Sequence, residues 1–168
     1  MSIFNKWFVT QKKHEQTIVA FATGALCHLS ETQDKAFSSL ILGDGVAITP
    51  ERPSIVAPVD GEITMIFPTK HAFGMVTAEG IELLVHMGID TVNLKGKGYK
   101  YFKEVNSKVK AGEKVVDMDI DVIKKNGYNP IVMMIVVNQN GYAFAYGANG
   151  SVQKGKSVIG NYEINGTI

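Results

Sequence analysis

Cysteine is nearly absent. Cys27 stands alone in 168 residues, so no disulfide can close within the chain, and a reducing compartment fits. Arginine is as scarce: Arg52 is the only one, which leaves almost no planar fork for gripping a phosphate or a base edge. An excess of one charge is missing too. Seventeen Lys and Arg against 16 Asp and Glu give a net charge of +1, too little for a nucleic-acid binder that works by neutralising phosphates. The longest apolar run, Ile131 to Val137, is far short of a bilayer span. Met1 to Thr10 holds no long apolar stretch with a small-residue cleavage site, so it does not read as a secretory signal. The expectation is a cytoplasmic protein with one domain over residues 17–168.

Apolar residues make up 45% of the chain and charged residues 20%, an ordinary balance for a folded globular protein. Short β-rich runs alternate with turn signals at Gly43–Gly45, Asp60–Gly61, Gly96–Gly98, Asn126–Gly127, Asn140–Gly141 and Asn149–Gly150. That spacing predicts an all-β, antiparallel sandwich or barrel. Helical periodicity is weak. One or two turns are expected within Thr32 to Leu40, and a short helix over Ile120 to Lys125, with Asp119 or Asp121 at its start and Asn126-Gly127 at its stop.

Two internal echoes suggest a duplicated hairpin unit. Ile18 to Leu26 resembles Ile55 to Ile63, with Gly24 answering Gly61. Val109 to Val116 resembles Val152 to Ile159, with Gly112 answering Gly155. Either pair alone is as readily chance; both in consistent order argue for duplication. Residues 1–16 stand apart. Ile3, Phe4, Trp7 and Phe8 fall on one helical face with Lys6, Lys12 and Lys13 around them, so the tail reads either as mobile or as a contact with a membrane surface.

Among the four histidines, His14 sits in the polar tail. His28 follows Cys27, but neighbours on a strand point to opposite faces, so the two do not make a metal pair. His86 ends the strand-like run Ile81 to Val85, with Gly88 just beyond. An imidazole held at a strand end offers a lone pair at neutral pH, as nucleophile or as ligand. His71 lies in the loop segment Phe67-Pro-Thr-Lys-His71-Ala-Phe73-Gly74. From spacing alone, two ordinary histidines on separate strands remain an equal reading.

At these residues the chain resembles a known family. Gly80-x-x-Leu-Leu-Val-His86-Met-Gly88-Ile-x-Thr91-Val92 is similar to the phosphorylation-site signature of glucose-type enzyme IIA of the bacterial phosphoenolpyruvate-dependent sugar phosphotransferase system. The likeness takes in Leu42 to Ile48, Val56 to Gly61, Pro68 to Phe73, Gly88 to Gly98 and Val109 to Gly112, and spans roughly residues 17–160. The resemblance implies an antiparallel β-sandwich with duplicated hairpins, which agrees with the echoes above. It also implies that His86 takes a phosphoryl group from the phosphohistidine of the small carrier HPr. His86 then passes it to a cysteine on the IIB domain of a membrane IIBC sugar permease. His71 would stabilise the transferred group and Thr69 would orient His71. Phe37, Ile41, Leu42, Phe67 and Phe73 would line the docking face, with Asp34 and Asp90 facing a basic patch on HPr. No cofactor is required, and the carrier would be a free-standing monomer.

The chain departs from the family pattern at Ala20-Phe-Ala-Thr-Gly24 and at Thr32-Gln-Asp34-Lys-Ala-Phe37, where prolines are missing, and this loosens that loop. Three other readings compete. In the first, His71 and His86 hold zinc, as in hydrolases on a related β scaffold; the catalytic form wants three protein ligands, and a third has no clear counterpart here. In the second, the protein is chiefly a regulator, read out by the phosphorylation state of the same histidine. In the third, Lys70 would be the modified lysine of a biotinyl or lipoyl carrier, yet Pro68-Thr-Lys-His71 does not resemble such a target.

Overall fold

A computed structural model describes residues 16–165. The tail reading, with Ile3, Phe4, Trp7, Phe8 and His14, lies outside the described residues. Fourteen strands and two short helices follow in order: β1 (Gln16–Val19), β2 (Gly24–His28), α1 (Lys35–Ser38), β3 (Asp44–Pro50), β4 (Ser54–Val56), β5 (Gly61–Ile66), β6 (Ala72–Val76), β7 (Glu82–Met87), β8 (Tyr99–Tyr101), β9 (Lys108–Val109), β10 (Lys114–Met118), α2 (Ile120–Lys125), β11 (Val132–Asn138), β12 (Tyr142–Tyr146), β13 (Gly150–Val152) and β14 (Val158–Ile164). All pairings are antiparallel. The strands form one eight-stranded sheet, β13-β2-β3-β11-β7-β6-β5-β9, and two three-stranded sheets, β1-β14-β12 and β4-β10-β8. Among the described residues no helix is long and apolar enough to cross a membrane.

The all-β expectation holds, and the duplication is written in hydrogen bonds. Val19 N donates to Pro58 O, and its counterpart Val56 N donates to Phe21 O, each 2.9 Å long, so the two repeats trade equivalent bonds. Gly112 N donates to Ala57 O, and Gly155 N to Ala20 O. Gly24 faces Val152 in one copy as Gly61 faces Val109 in the other. The helix over Ile120–Lys125 forms as read, with the Asp119 carboxylate accepting from Val122 N. The other is one turn, Lys35–Ser38, capped by Asp34.

The core explains which strand face carries the site. One face of the large sheet packs on the two small sheets. Leu83, Val85 and Met87 of β7 enter this main cluster with Val132, Met134 and Val136 of β11. The alternate residues turn to the other face. There Met133, Ile135, Ala47, Leu29 and Phe37 form a second, smaller cluster, with Cys27, Leu40, Leu84 and Ile89 packed on it. β11 is therefore apolar on both faces, which is why its sequence lacks the alternation of a half-wet strand. Central packing leaves no room for growth at Gly45 in β3, where an added Cβ would sit 1.8 Å from the Met134 carbonyl oxygen. Gly45→Ala is expected to cost at least about 3 kcal/mol through forced separation of β3 and β11. A lowered urea midpoint checks this; an unchanged one contradicts it.

Candidate functional site

The site grows from strand parity. His86 shares its face of β7 with Leu84, so it points away from the main core and toward the smaller cluster. Its cross-strand partners are Ala72 of β6 and Met133 of β11. His71 ends the turn joining β5 to β6, where Lys70 takes φ +61°. Its carbonyl accepts from Met87 N at 2.7 Å, tying the two histidine segments together. The rings meet edge to face, with centroids 4.9 Å apart and planes at 78°. Phe37 of α1 lies 4.8 Å from the His86 ring, and Phe67 lies 5.3 Å from the His71 ring. Two aromatic side chains thus wall the pair on either side.

The two imidazoles have different surroundings. His71 is 5% exposed, and its Nδ1 is 2.7 Å from the Thr69 hydroxyl. His86 is half-buried; its Nδ1 is turned inwards and reaches no partner in hydrogen-bond geometry, which leaves Nε2 toward solvent. Burial, then the neighbouring His71, pushes the His86 pKa down from 6.5 to about 4; the Gly88 backbone and the Asp34 carboxylate oppose this. Burial also holds His71 below the ordinary imidazole value, against the Thr69 backbone. The magnitude matters. With a pKa of about 4, roughly one His86 in a thousand is protonated at pH 7, against about a quarter at the ordinary value.

That shift makes a prediction with a definite sign. The folded value lies below the unfolded one, so the unfolded chain takes up the proton first as pH falls. The stability that neutral His86 contributes is whole above about 6.5 and is lost as pH drops toward about 4. An NMR titration of the His86 ring is expected to give a midpoint near 4. A midpoint above 6 contradicts the burial argument.

The other expected site residues scatter. Phe37 and Phe67 stand at the pair. Asp34 caps α1, accepting from Ala36 N at 2.9 Å, and its charge also reaches His86. Ile41 and Leu42 are exposed, at 85% and 48%, in the loop after α1. Asp90 is exposed in a left-handed turn, and its side chain caps nothing. Phe73 is the exception. It is fully buried in the main core against Tyr101, so it cannot line a docking face; its neighbour in sequence, Ala72, holds the site side of β6. His71 and His86 form only a pair: among the described residues no group of three or more His, Cys, Asp or Glu could hold a metal. His28 is occupied, with Nε2 2.9 Å from Asp44 and Nδ1 2.7 Å from the Ser30 hydroxyl. Sequence reading assigned nothing to Tyr99 or Thr91. Both hydroxyls donate to the Met87 carbonyl, directly after His86. Thr91 stands inside the histidine signature, but only the fold brings Tyr99 there.

The family described as phosphoenolpyruvate-dependent sugar phosphotransferase system, EIIA 1, matches residues 16–142. The glucose-specific EIIA component of Bacillus cereus is 39% identical over 137 residues, which is 81% of this chain and 83% of that protein. The glucose-specific EIIA component of Buchnera aphidicola is 35% identical over 159 residues, covering 95% and 97%. The glucose-specific EIICBA component of Staphylococcus carnosus is 41% identical over 136 residues, and there the chain spans only 20% of the relative's length. Of the solved structures, glucose permease IIA from Mycoplasma capricolum matches with a TM-score of 0.81 at 35% identity, over 92% of this chain and 98% of that one.

Proposed function

The chain belongs to the EIIA 1 family of the phosphoenolpyruvate-dependent sugar phosphotransferase system, a phosphocarrier family, and we propose that Nε2 of its His86 carries the phosphoryl group. The observation that carries this reading is the unequal histidine pair. One ring is half-exposed, neutral and free at Nε2; the other is buried beside it and held by Thr69.

Each step needs aligned groups and charge stabilisation more than a strong base. The Nε2 lone pair of His86 forms a new P–N bond as the donor's P–N bond breaks, and that electron pair returns to the donor ring. In this tautomer Nδ1 of His86 keeps its proton on the side of the Gly88 backbone. The Thr69 hydroxyl lies 2.7 Å from Nδ1 of His71; in the tautomer this reading assigns, the hydroxyl donates there, and the His71 proton sits on Nε2, where it can donate to a phosphoryl oxygen.

The donor is HPr and the acceptor a cysteine of a IIB domain, met in turn on the same face by a cytoplasmic, monomeric carrier. Exposed Ile41 and Leu42, with the edges of Phe37 and Phe67, supply the apolar contact, and Asp34 and Asp90 the acidic one. No cofactor enters this chemistry. Two histidines supply fewer ligands than the three that a catalytic zinc takes, so a zinc hydrolase is not part of the reading. The test is intact mass after incubation with phosphoenolpyruvate, enzyme I and HPr. A gain of about one phosphoryl group, lost on mild acid treatment, is expected; no gain with active donors contradicts it.

A further inference from the structure

The residue after His86 is held more firmly than a strand end requires. Met87 N donates to the His71 carbonyl at 2.7 Å. Its own carbonyl accepts twice, from the Thr91 hydroxyl at 2.7 Å and from the Tyr99 hydroxyl at 2.6 Å. Two lone pairs thus meet two donors. Thr91 is fully buried and Tyr99 is 6% exposed, so no water competes for that oxygen.

The local sequence builds this clamp. Gly88 turns with φ +91° and Asp90 with φ +61°, and the chain doubles back to bring Thr91 under Met87. A Cβ on Gly88 would lie 2.3 Å from Thr91 Cγ2, so only glycine lets the threonine approach. Tyr99 arrives from β8, in another sheet. Its burial pushes its pKa up to about 12, so it stays a hydroxyl donor throughout neutral pH.

We infer that Thr91 and Tyr99 are positioning residues for phosphoryl transfer, fixing through the Met87 carbonyl where the His86 ring stands. This rests on the reading of His86 given above. Neither residue touches the transferred group. A ring that must line up with a partner's imidazole or thiolate loses rate steeply with small displacements: about 1 Å can cost about a hundredfold. Pairing with β11 holds both His86 and Met87, but on the β6 side the ladder ends at Ala72 opposite His86, and there the clamp holds the Met87 carbonyl that β6 no longer reaches.

The test compares Tyr99→Phe, Thr91→Val, their double variant and Thr91→Ser with the parent, using phosphorylated HPr as donor and intact mass as readout. Each single loss is expected to lower kcat about tenfold and the double about a hundredfold, with KM for HPr unchanged. Thr91→Ser, which keeps the hydroxyl, is expected to stay within about twofold of the parent. Thermal unfolding of each variant gives its folded fraction, by which kcat is corrected. The inference is overturned if the folded variants keep the parent kcat, if the loss vanishes on that correction, or if KM rises while kcat holds. In each of those cases the parent still gains its phosphoryl group and the reading of His86 stands. A parent that is not phosphorylated overturns both.

Discussion

His86→Ala is expected to take up no phosphoryl group and to keep its fold. Among the described histidines only His86 offers an unpaired lone pair at an accessible nitrogen, since in the tautomer proposed above Nε2 of His71 carries its proton. His71 is buried with Nδ1 at Thr69, and His28 is held at both nitrogens by Asp44 and Ser30. No second nucleophile can therefore take over from a neighbouring position. The loss should be complete within detection, not a partial slowing, because among the described residues the site offers the new P–N bond no other lone pair. Stability should change little. At Nδ1 alanine gives up only the contact of the ring with the Gly88 backbone, which falls outside hydrogen-bond geometry, and removing a desolvated imidazole removes its burial cost. Contact with the Phe37 ring is lost as well. Intact mass under active donors reads the first effect and a thermal melt the second. A phosphoryl gain in a folded His86→Ala would move the site elsewhere.

Much of this arrangement is legible in the sequence, for physical reasons. The strand-end position of His86 shows because the apolar run Ile81 to Val85 closes just before it and Gly88 turns the chain just beyond it. The duplication shows because both copies need a small residue at the same turn, Gly112 and Gly155, whose backbones pack on each other: a Cβ built on either falls within 3.5 Å of the other's Cα. Asp119 announces α2 because a carboxylate is a good acceptor for the bare N–H groups of a helix start. What the sequence hides is parity and distance. Phe73 and His71 lie two apart, and each alternates with Ala72, but His71 is still in the turn and Phe73 is already in the strand. The strand rule that same-parity residues share a face therefore fails across that junction, and Phe73 goes to the core. β11 gives no clue either. With both faces covered its apolar run looks the same from either side, so Met133 could not be placed beside His86 before the register was known. Tyr99 is farther from reach still, since its hydroxyl meets Met87 only through the packing of one sheet on another.

His71→Ala is expected to separate the two halves of the carrier's cycle: uptake within about tenfold of the parent, onward transfer at least about a hundredfold slower. The reason is charge. In uptake the entering nucleophile is the neutral His86 ring, which does not repel the phosphoryl oxygens. In delivery a thiolate must approach the same oxygens, anion against anion. That repulsion acts between the rings of Phe37 and Phe67, which displace water and weaken its screening there. A donor already in place counts most in that step. His71 is buried, its ring is 4.9 Å from His86, and Thr69 holds its orientation. The phosphoryl charge also works against the depression of the His71 pKa, since a nearby anion favours the imidazolium, so the loaded site draws a proton toward the group that must offset the charge. Thr69→Val should weaken delivery in the same direction but less, about tenfold, because the ring remains and only its orienting partner is gone. His71→Gln, which keeps an amide donor, should recover part of the rate. A single-turnover chase decides it: each variant is loaded with phosphoryl, freed of HPr, mixed with a IIB domain and followed by mass. Delivery from His71→Ala at the parent rate would show that His86 works without its neighbour.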